Sequence, residues 1–142
     1  MYLFGRQYCI GMEVWKVENY CAMIFDIQGS KKLSNRSEVQ FELIDTINDF
    51  NNKHKDFLVS DFNISVGDEW QGLLKDKKYY PIVQNFFAEK LSVPFYTGVG
   101  VGPLTVFSSS LPVNQLDGPC FHKAREALEL AKSKKYKEVL LN

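Results

Sequence analysis

The chain has 142 residues, enough for one domain with a real core, and it carries 17 Lys+Arg against 17 Asp+Glu. That balance excludes a global pull towards nucleic acid or an anionic membrane surface, and no apolar run reaches membrane-spanning length. Cys9, Cys21 and Cys120 are odd in number and widely spaced, with only His54 and His122 beside them, which leaves neither a disulfide framework nor a His/Cys metal site.

Residues 1–18 read either as an extra edge strand or dimer arm, built on Tyr2, Phe4, Tyr8, Val14 and Trp15, or as an N-terminal extension with Met12 as an alternative start. They lack the cleavage-site pattern of a signal peptide, so the expectation is a cytoplasmic protein with reduced thiols, no membrane partner and no direct nucleic-acid binding. Residues 19–142 read as a single domain. Tyr20–Asp26 is a strand without alternation, hence a central one covered on both faces. Ser34 or Ser37 then caps a helix running to about Asn52, with Val39, Leu43, Ile47 and Phe50 as its apolar stripe. Phe57–Val66 and Glu69–Leu74 flank Gly67-Asp68, a two-residue loop with Gly first that suits a type II′ hairpin. Gly72 lets another backbone or a ligand approach closely. A second helix spans Tyr79–Leu91, with Pro81 in its first turn and Ile82, Phe86 and Leu91 inward. Pro94–Val101 is a strand with Gly98, Gly100 and Gly102 along one face, kept clear for a packed helix or a bound purine. After a Ser/Pro/Asn-rich loop, a third helix runs from Asp117 to about Lys134 on Cys120, Ala124, Ala127, Leu128 and Ala131, and Glu138–Leu141 closes the chain as a strand. Between Lys123 and Lys137 that end carries six Lys/Arg against two Glu, a basic helix whose plain reading is a solvated face.

The order β-α-β-β-α-β-α-β is the ferredoxin-like split βαβ plan, an α+β fold with an antiparallel sheet and helices mainly on one face. In it the ends of the first and second strands share a rim, and each end carries a carboxylate, Asp26 and Asp68. Asp26 beside Phe25 and Ile24 is costly unless it is paired or metal-bound, and two carboxylates at one rim suit a hard divalent cation, Mg²⁺ or Mn²⁺. Next to them, Ile27-Gln28-Gly29-Ser30 offers backbone N–H groups at a strand-to-helix turn, with Ser30, Lys31 and Lys32 adding a hydroxyl and two charges, a natural place for polyphosphate. The plain alternative is that Gly29-Ser30 only turns the chain, that the lysines are solvated, and that Asp68 is there because Asp favours turns.

Phe25-Asp26-Ile27-Gln28-Gly29-Ser30 resembles the first metal-binding strand end of class III nucleotidyl cyclases, and Val66-Gly67-Asp68-Glu69-Trp70 resembles their second hairpin and the GGDEF turn of diguanylate cyclases. Over roughly residues 20–135 the chain is similar to the SatD family, on Asp26 to Lys31, Gly67 to Leu74, Gly98-Val99-Gly100 and Asp117 to Leu128 in that order. The SatD resemblance implies a palm-like fold more firmly than an activity. Longer members continue into a C-terminal extension, beyond the end of this sequence, and no DNA-binding role is carried over. The cyclase resemblance implies Asp26, Asp68 and the Ile27 carbonyl as metal ligands, Gln28, Gly29, Ser30 and Lys31 around phosphate, and Arg125 or Lys123 offsetting charge on a transferring phosphoryl group. It also implies a purine nucleoside triphosphate as ligand and a homodimer. The chain departs from the cyclase pattern at Phe121, where those enzymes have Asn, at Val66 in place of the first GGDEF glycine, and in having no lysine assignable to a purine edge. Two functions follow as expectations. One is a Mg²⁺-dependent purine nucleotide-binding palm capable of nucleotidyl or phosphoryl transfer. The other is a degenerate, non-catalytic palm that senses a nucleotide or binds a protein. A third, a regulatory protein acting through the aromatic N-terminal segment or the basic last helix, predicts no metal or nucleotide response. Glu69 reads as a strand residue leaving the sheet opposite Asp68 before a third metal ligand, Trp70 as core or interface before a base-stacking platform, and His122 as a surface helical residue before a general base.

Overall fold

A computed structural model describes residues 18–142 in full and, within residues 1–17, the backbone of two strands, β1 (Arg6–Cys9) and β2 (Met12–Trp15). These two pair antiparallel in a two-stranded sheet of their own. The choice between edge strand, dimer arm and extension for residues 1–18, and the alternative start at Met12, otherwise lie outside the described residues.

The principal sheet has five strands: β3 (Tyr20–Ile27), β4 (Leu58–Val66), β5 (Glu69–Leu74), β6 (Phe95–Gly102) and β7 (Glu138–Leu141). Their spatial order is β4-β5-β3-β6-β7, antiparallel throughout except for the parallel β6–β7 edge. Helices α1 (Arg36–Lys53) and α2 (Tyr80–Lys90) make the two crossovers of the split βαβ plan, and α3 (Pro119–Lys134) joins β6 to β7. β3 is central, as its unbroken apolar run implies, and it divides its side chains between two cores. Cys21, Met23, Phe25 and Ile27 face α1 and α2, while Ala22 and Ile24 face α3. Two of the three helices therefore share a face, and α3 takes the other.

The glycines of β6 settle one open alternative in favour of a packed helix. A Cβ on Gly98 would lie 2.2 Å from the Ala124 carbonyl oxygen, and one on Gly100 would lie 2.1 Å from that of Cys120. α3 thus lies directly on the strand backbone. At Gly72 the close neighbour is neither backbone nor ligand but the Phe62 ring, 2.5 Å from where a Cβ would be. Phe62 belongs to an aromatic cluster in which Trp70 stacks on Phe25 with centroids 4.9 Å apart. Trp70 is fully buried there, so it is core; its Nε1 is buried without a hydrogen-bond partner among the described residues.

Two local readings are corrected. Asn35, not Ser34 or Ser37, precedes α1, and its side chain makes no capping hydrogen bond. In α2 the inward residues are Val83 and Phe87, with Leu91 buried and Phe86 part-buried, whereas Ile82 is exposed. Ile82-Val83 and Phe86-Phe87 offer two overlapping stripes, each with spacing four, and periodicity alone does not choose between them. A 3-10 turn at Lys77–Tyr79, with Asp76 accepting from the Lys78 N–H, leads into α2. The hairpin follows its sequence: Gly67 has φ 54° and Asp68 does not have positive φ, as in a type II′ loop.

Candidate functional site

The rim is stitched by two backbone hydrogen bonds. The Ile27 N–H donates to the Asp68 carbonyl at 3.3 Å, and the Gln28 N–H donates to the Pro94 carbonyl at 2.9 Å. The end of β3, the β4–β5 hairpin and the start of β6 are thereby held together, which brings Asp26, Ile27 and Asp68 to one place.

Every carboxylate here has a basic partner. Asp26 lies on the face that carries Ala22 and Ile24, and its Oδ2 is 3.0 Å from Lys132 Nζ on α3. Asp68 Oδ2 is 3.3 Å from Arg36 Nη2 at the start of α1. Glu69, directly across the ladder from Asp26, takes both Arg125 nitrogens at 2.7 Å and also accepts from the Ser65 hydroxyl at 3.1 Å. Cross-strand partners share a face, so Asp26 and Glu69 form a four-charge cluster with Lys132 and Arg125. Burial alone would raise the Glu69 pKa, but the Arg125 hydrogen bonds and charge, with Ser65, hold it below the usual carboxylate value. The Lys132 pKa is raised, first by its hydrogen bond to Asp26, and that of Arg125 by its hydrogen bonds to Glu69.

The turn after β3 is tight. Gly29 sits in the left-handed region at φ 62°, ψ 27°, and Ser30–Lys32 is a single 3-10 turn. Within this turn the Lys32 N–H donates to the Gly29 carbonyl at 2.9 Å and the Leu33 N–H to that of Ser30 at 3.3 Å. Backbone N–H groups that follow an αL residue can make a concave, electropositive surface. The exposed Lys31 and Lys32 flank it. A recess of about 450 Å³ beside Asp68 is lined by Arg36, Ser37, Gln40 and Gly67. A roomier recess, about 600 Å³, is elsewhere, between the β4 edge and Ser108–Ser110.

Not all expected residues meet. Lys123 donates to the Val101 carbonyl at 3.2 Å, and Val101 pairs with Cys21, at the end of β3 remote from Asp26. His122 is exposed and contacts Asp117 at 2.9 Å. Lys132 and Arg36 went unread in the sequence. Lys132 was recoverable, since it follows Arg125 by seven residues, two helical turns along the same face. Arg36 gave no such signal. The buried thiols Cys21 and Cys120 are pushed up to about 12 by burial and stay protonated.

Among the described residues, no group of three His, Cys, Asp or Glu side chains can hold a metal ion. Asp26, Asp68 and the Ile27 carbonyl offer three oxygens, which is a poor protein-only cage. It suits Mg²⁺, which is commonly held by one or two carboxylates with water and substrate phosphates completing the octahedron. The donor set therefore fits a cation that arrives with polyphosphate.

The architecture is that of cyclase palm domains. It superposes on the catalytic core of a rhodopsin-guanylyl cyclase with converted specificity, in complex with ATPαS, at TM-score 0.57 and 16% identity over 80% of this chain and 72% of that one. A dimeric guanylyl cyclase domain from Blastocladiella emersonii gives 0.56 and 15% over 80% and 74%. A microbial GGDEF domain described with cyclic di-GMP gives 0.56 and 11% over 87% and 78%. At these identities the likeness establishes the fold. Sequence places the chain more narrowly: residues 20–139 match the SatD family, and the protein belongs to it. Among proteins with curated descriptions, none matches it in sequence.

Proposed function

We propose that the rim binds a purine nucleoside triphosphate together with Mg²⁺ or Mn²⁺. Asp26, Asp68 and the Ile27 carbonyl would hold the metal, which supplies charge neutralisation for the phosphates. Gly29, Ser30 and Lys31 amides take phosphate oxygens; Gln28 contributes through its side chain, because its N–H is already bound to Pro94. Lys132, rather than the remote Lys123, supplies the second ammonium, and the recess beside Asp68 accommodates the nucleoside. The observation that carries this reading is the left-handed turn at Gly29, set directly after Asp26 and Ile27 and tied by the Ile27 N–H to the Asp68 carbonyl, so that it lies beside two carboxylates on the same rim.

Where turnover occurs, it is nucleotidyl or phosphoryl transfer, with Arg125 stabilising charge on the transferring group. Cyclase-like neighbours include a dimeric domain, and a second protomer over this rim is part of the same proposal. One observation favours a binding-only role instead. Arg125 already gives one N–H from each terminal nitrogen to Glu69, so a phosphoryl group would have to share it through its remaining donors.

Calorimetric titration with Mg²⁺–ATP and Mg²⁺–GTP, on the wild type and on Asp26→Ala, decides the matter. Metal-dependent binding should be present in the first and reduced at least about tenfold in the second, as expected when a charged ligand contact worth about 1.4 kcal/mol or more is lost. Chromatography of the same mixtures separates enzyme from sensor by the presence of a cyclic or dinucleotide product. Equal binding in both proteins, or none, sinks the proposal.

A further inference from the structure

The rim contains three carboxylates, Asp26, Asp68 and Glu69, and each is met by one basic side chain, Lys132, Arg36 and Arg125. The site is thus neutralised from within. The three cations differ in how firmly they are held. Arg125 makes two 2.7 Å bonds to Glu69, whereas Arg36 makes a single 3.3 Å contact to Asp68 and Lys132 a single 3.0 Å contact to Asp26. All three are substantially exposed, Arg36 54%, Arg125 46% and Lys132 40% at the side chain, so it is the single contact of Arg36 and of Lys132 that lets each swing away at little cost.

We propose that Lys132 and Arg36 are internal counterions that keep free divalent cations out of the rim, so that metal enters only together with polyphosphate. This rests on the reading of the rim as a metal–nucleotide site, and it adds a selection step to it. A bare cation approaching Asp26 and Asp68 meets two positive charges already in contact with the oxygens it needs. Its attraction to the carboxylates is offset by repulsion from the ammonium and guanidinium groups. A metal–polyphosphate complex carries the remedy with it. The metal takes the carboxylates, and the displaced Lys132 and Arg36 move onto phosphate oxygens, so no charge is left unpaired. The bidentate Glu69–Arg125 pair stays in place and keeps Glu69 out of the metal's ligand set.

The chemical consequence is an opposition of sign at one residue. Lys132 hinders the binding of metal alone and assists the binding of metal with polyphosphate. Removing its charge should therefore move the two affinities in opposite directions, which a merely structural lysine would not do.

Mn²⁺ offers the readout, because free and bound ions are distinguished by electron paramagnetic resonance. Wild type, Lys132→Gln, Arg36→Gln and the double variant Lys132→Gln/Asp26→Asn are titrated with Mn²⁺ alone and with Mn²⁺ plus inorganic tripolyphosphate. Lys132→Gln should bind Mn²⁺ alone about tenfold more tightly than wild type, from relief of charge repulsion at short range, and Arg36→Gln should follow in the same direction. The gain should vanish in the double variant, which ties the ion to Asp26. With tripolyphosphate present the order should reverse, with Lys132→Gln the weaker binder. Unchanged or weaker binding of Mn²⁺ alone by Lys132→Gln overturns the proposal, as does a gain that survives loss of Asp26. A gain for Mn²⁺ alone, with no tripolyphosphate bound by any of the four proteins, would keep the counterion role and sink the nucleotide reading.

Discussion

Glu69 shows how one residue's surroundings decide its part. By position it belongs to the acidic rim, but its oxygens are occupied by Arg125 and Ser65, and it serves to fix the arginine. Its pKa in the folded protein lies below the ordinary value of 4.5, so the pair's stabilisation is present above about that pH. It is lost as the pH falls through the lower, folded-state value, because the unfolded chain takes up the proton first. Urea midpoints measured from pH 6 down to pH 3 should fall more steeply for the wild type than for Glu69→Gln, which has no carboxylate to protonate there. Parallel curves would mean that the pair contributes nothing to stability in acid.

At the scale of elements, the decisive feature is the contact of α3 with β6. That helix carries Arg125 and Lys132 to the rim, and it can do so only because the strand beneath it has no side chains at Gly98 and Gly100. Gly100→Ala would place a methyl group 2.1 Å from the Cys120 oxygen and 2.2 Å from the Ala124 nitrogen, backbone atoms that move only with the helix. The expected loss is about 1–3 kcal/mol or more, read from urea unfolding. Gly102→Ala, whose nearest neighbour would be Cys120 N at 3.2 Å, should cost clearly less. Equal losses would show that α3 is not the limiting contact. These glycines, the unbroken apolar run of β3 and the Gly67-Asp68 turn were all legible in the sequence, because each reflects backbone geometry within a few residues. The facing stripe of α2 was not, since Ile82/Phe86 and Val83/Phe87 satisfy the same period. The pairing of Asp26 with Lys132 and of Asp68 with Arg36 was hidden for a different reason. It depends on where α1 and α3 land on the sheet, which no local pattern specifies.

Taken whole, the protein is a SatD-family palm whose proposed chemistry is gathered at one rim of the sheet. Around that rim five basic side chains, Lys31, Lys32, Arg36, Arg125 and Lys132, meet four acidic ones, Asp26, Asp68, Glu69 and Glu129, the last acting on both Arg125 and Lys132, although the chain as a whole is neutral. Such local excess favours a polyanion without making the entire surface sticky to nucleic acid. The roomier, polar recess by Ser108–Ser110 at the β4 edge is the competing location for a ligand. Amide chemical-shift mapping of the ¹⁵N-labelled protein, titrated with a Mg²⁺–nucleotide complex, distinguishes the two locations and tests the proposed rim site most directly. If the nucleotide binds at the rim, the largest changes fall on residues 26–31 and 67–69, with a second set on α3 around Lys132. Changes centred instead on Ser60, Asn63 and Ser108–Ser110, or none at all, would contradict it.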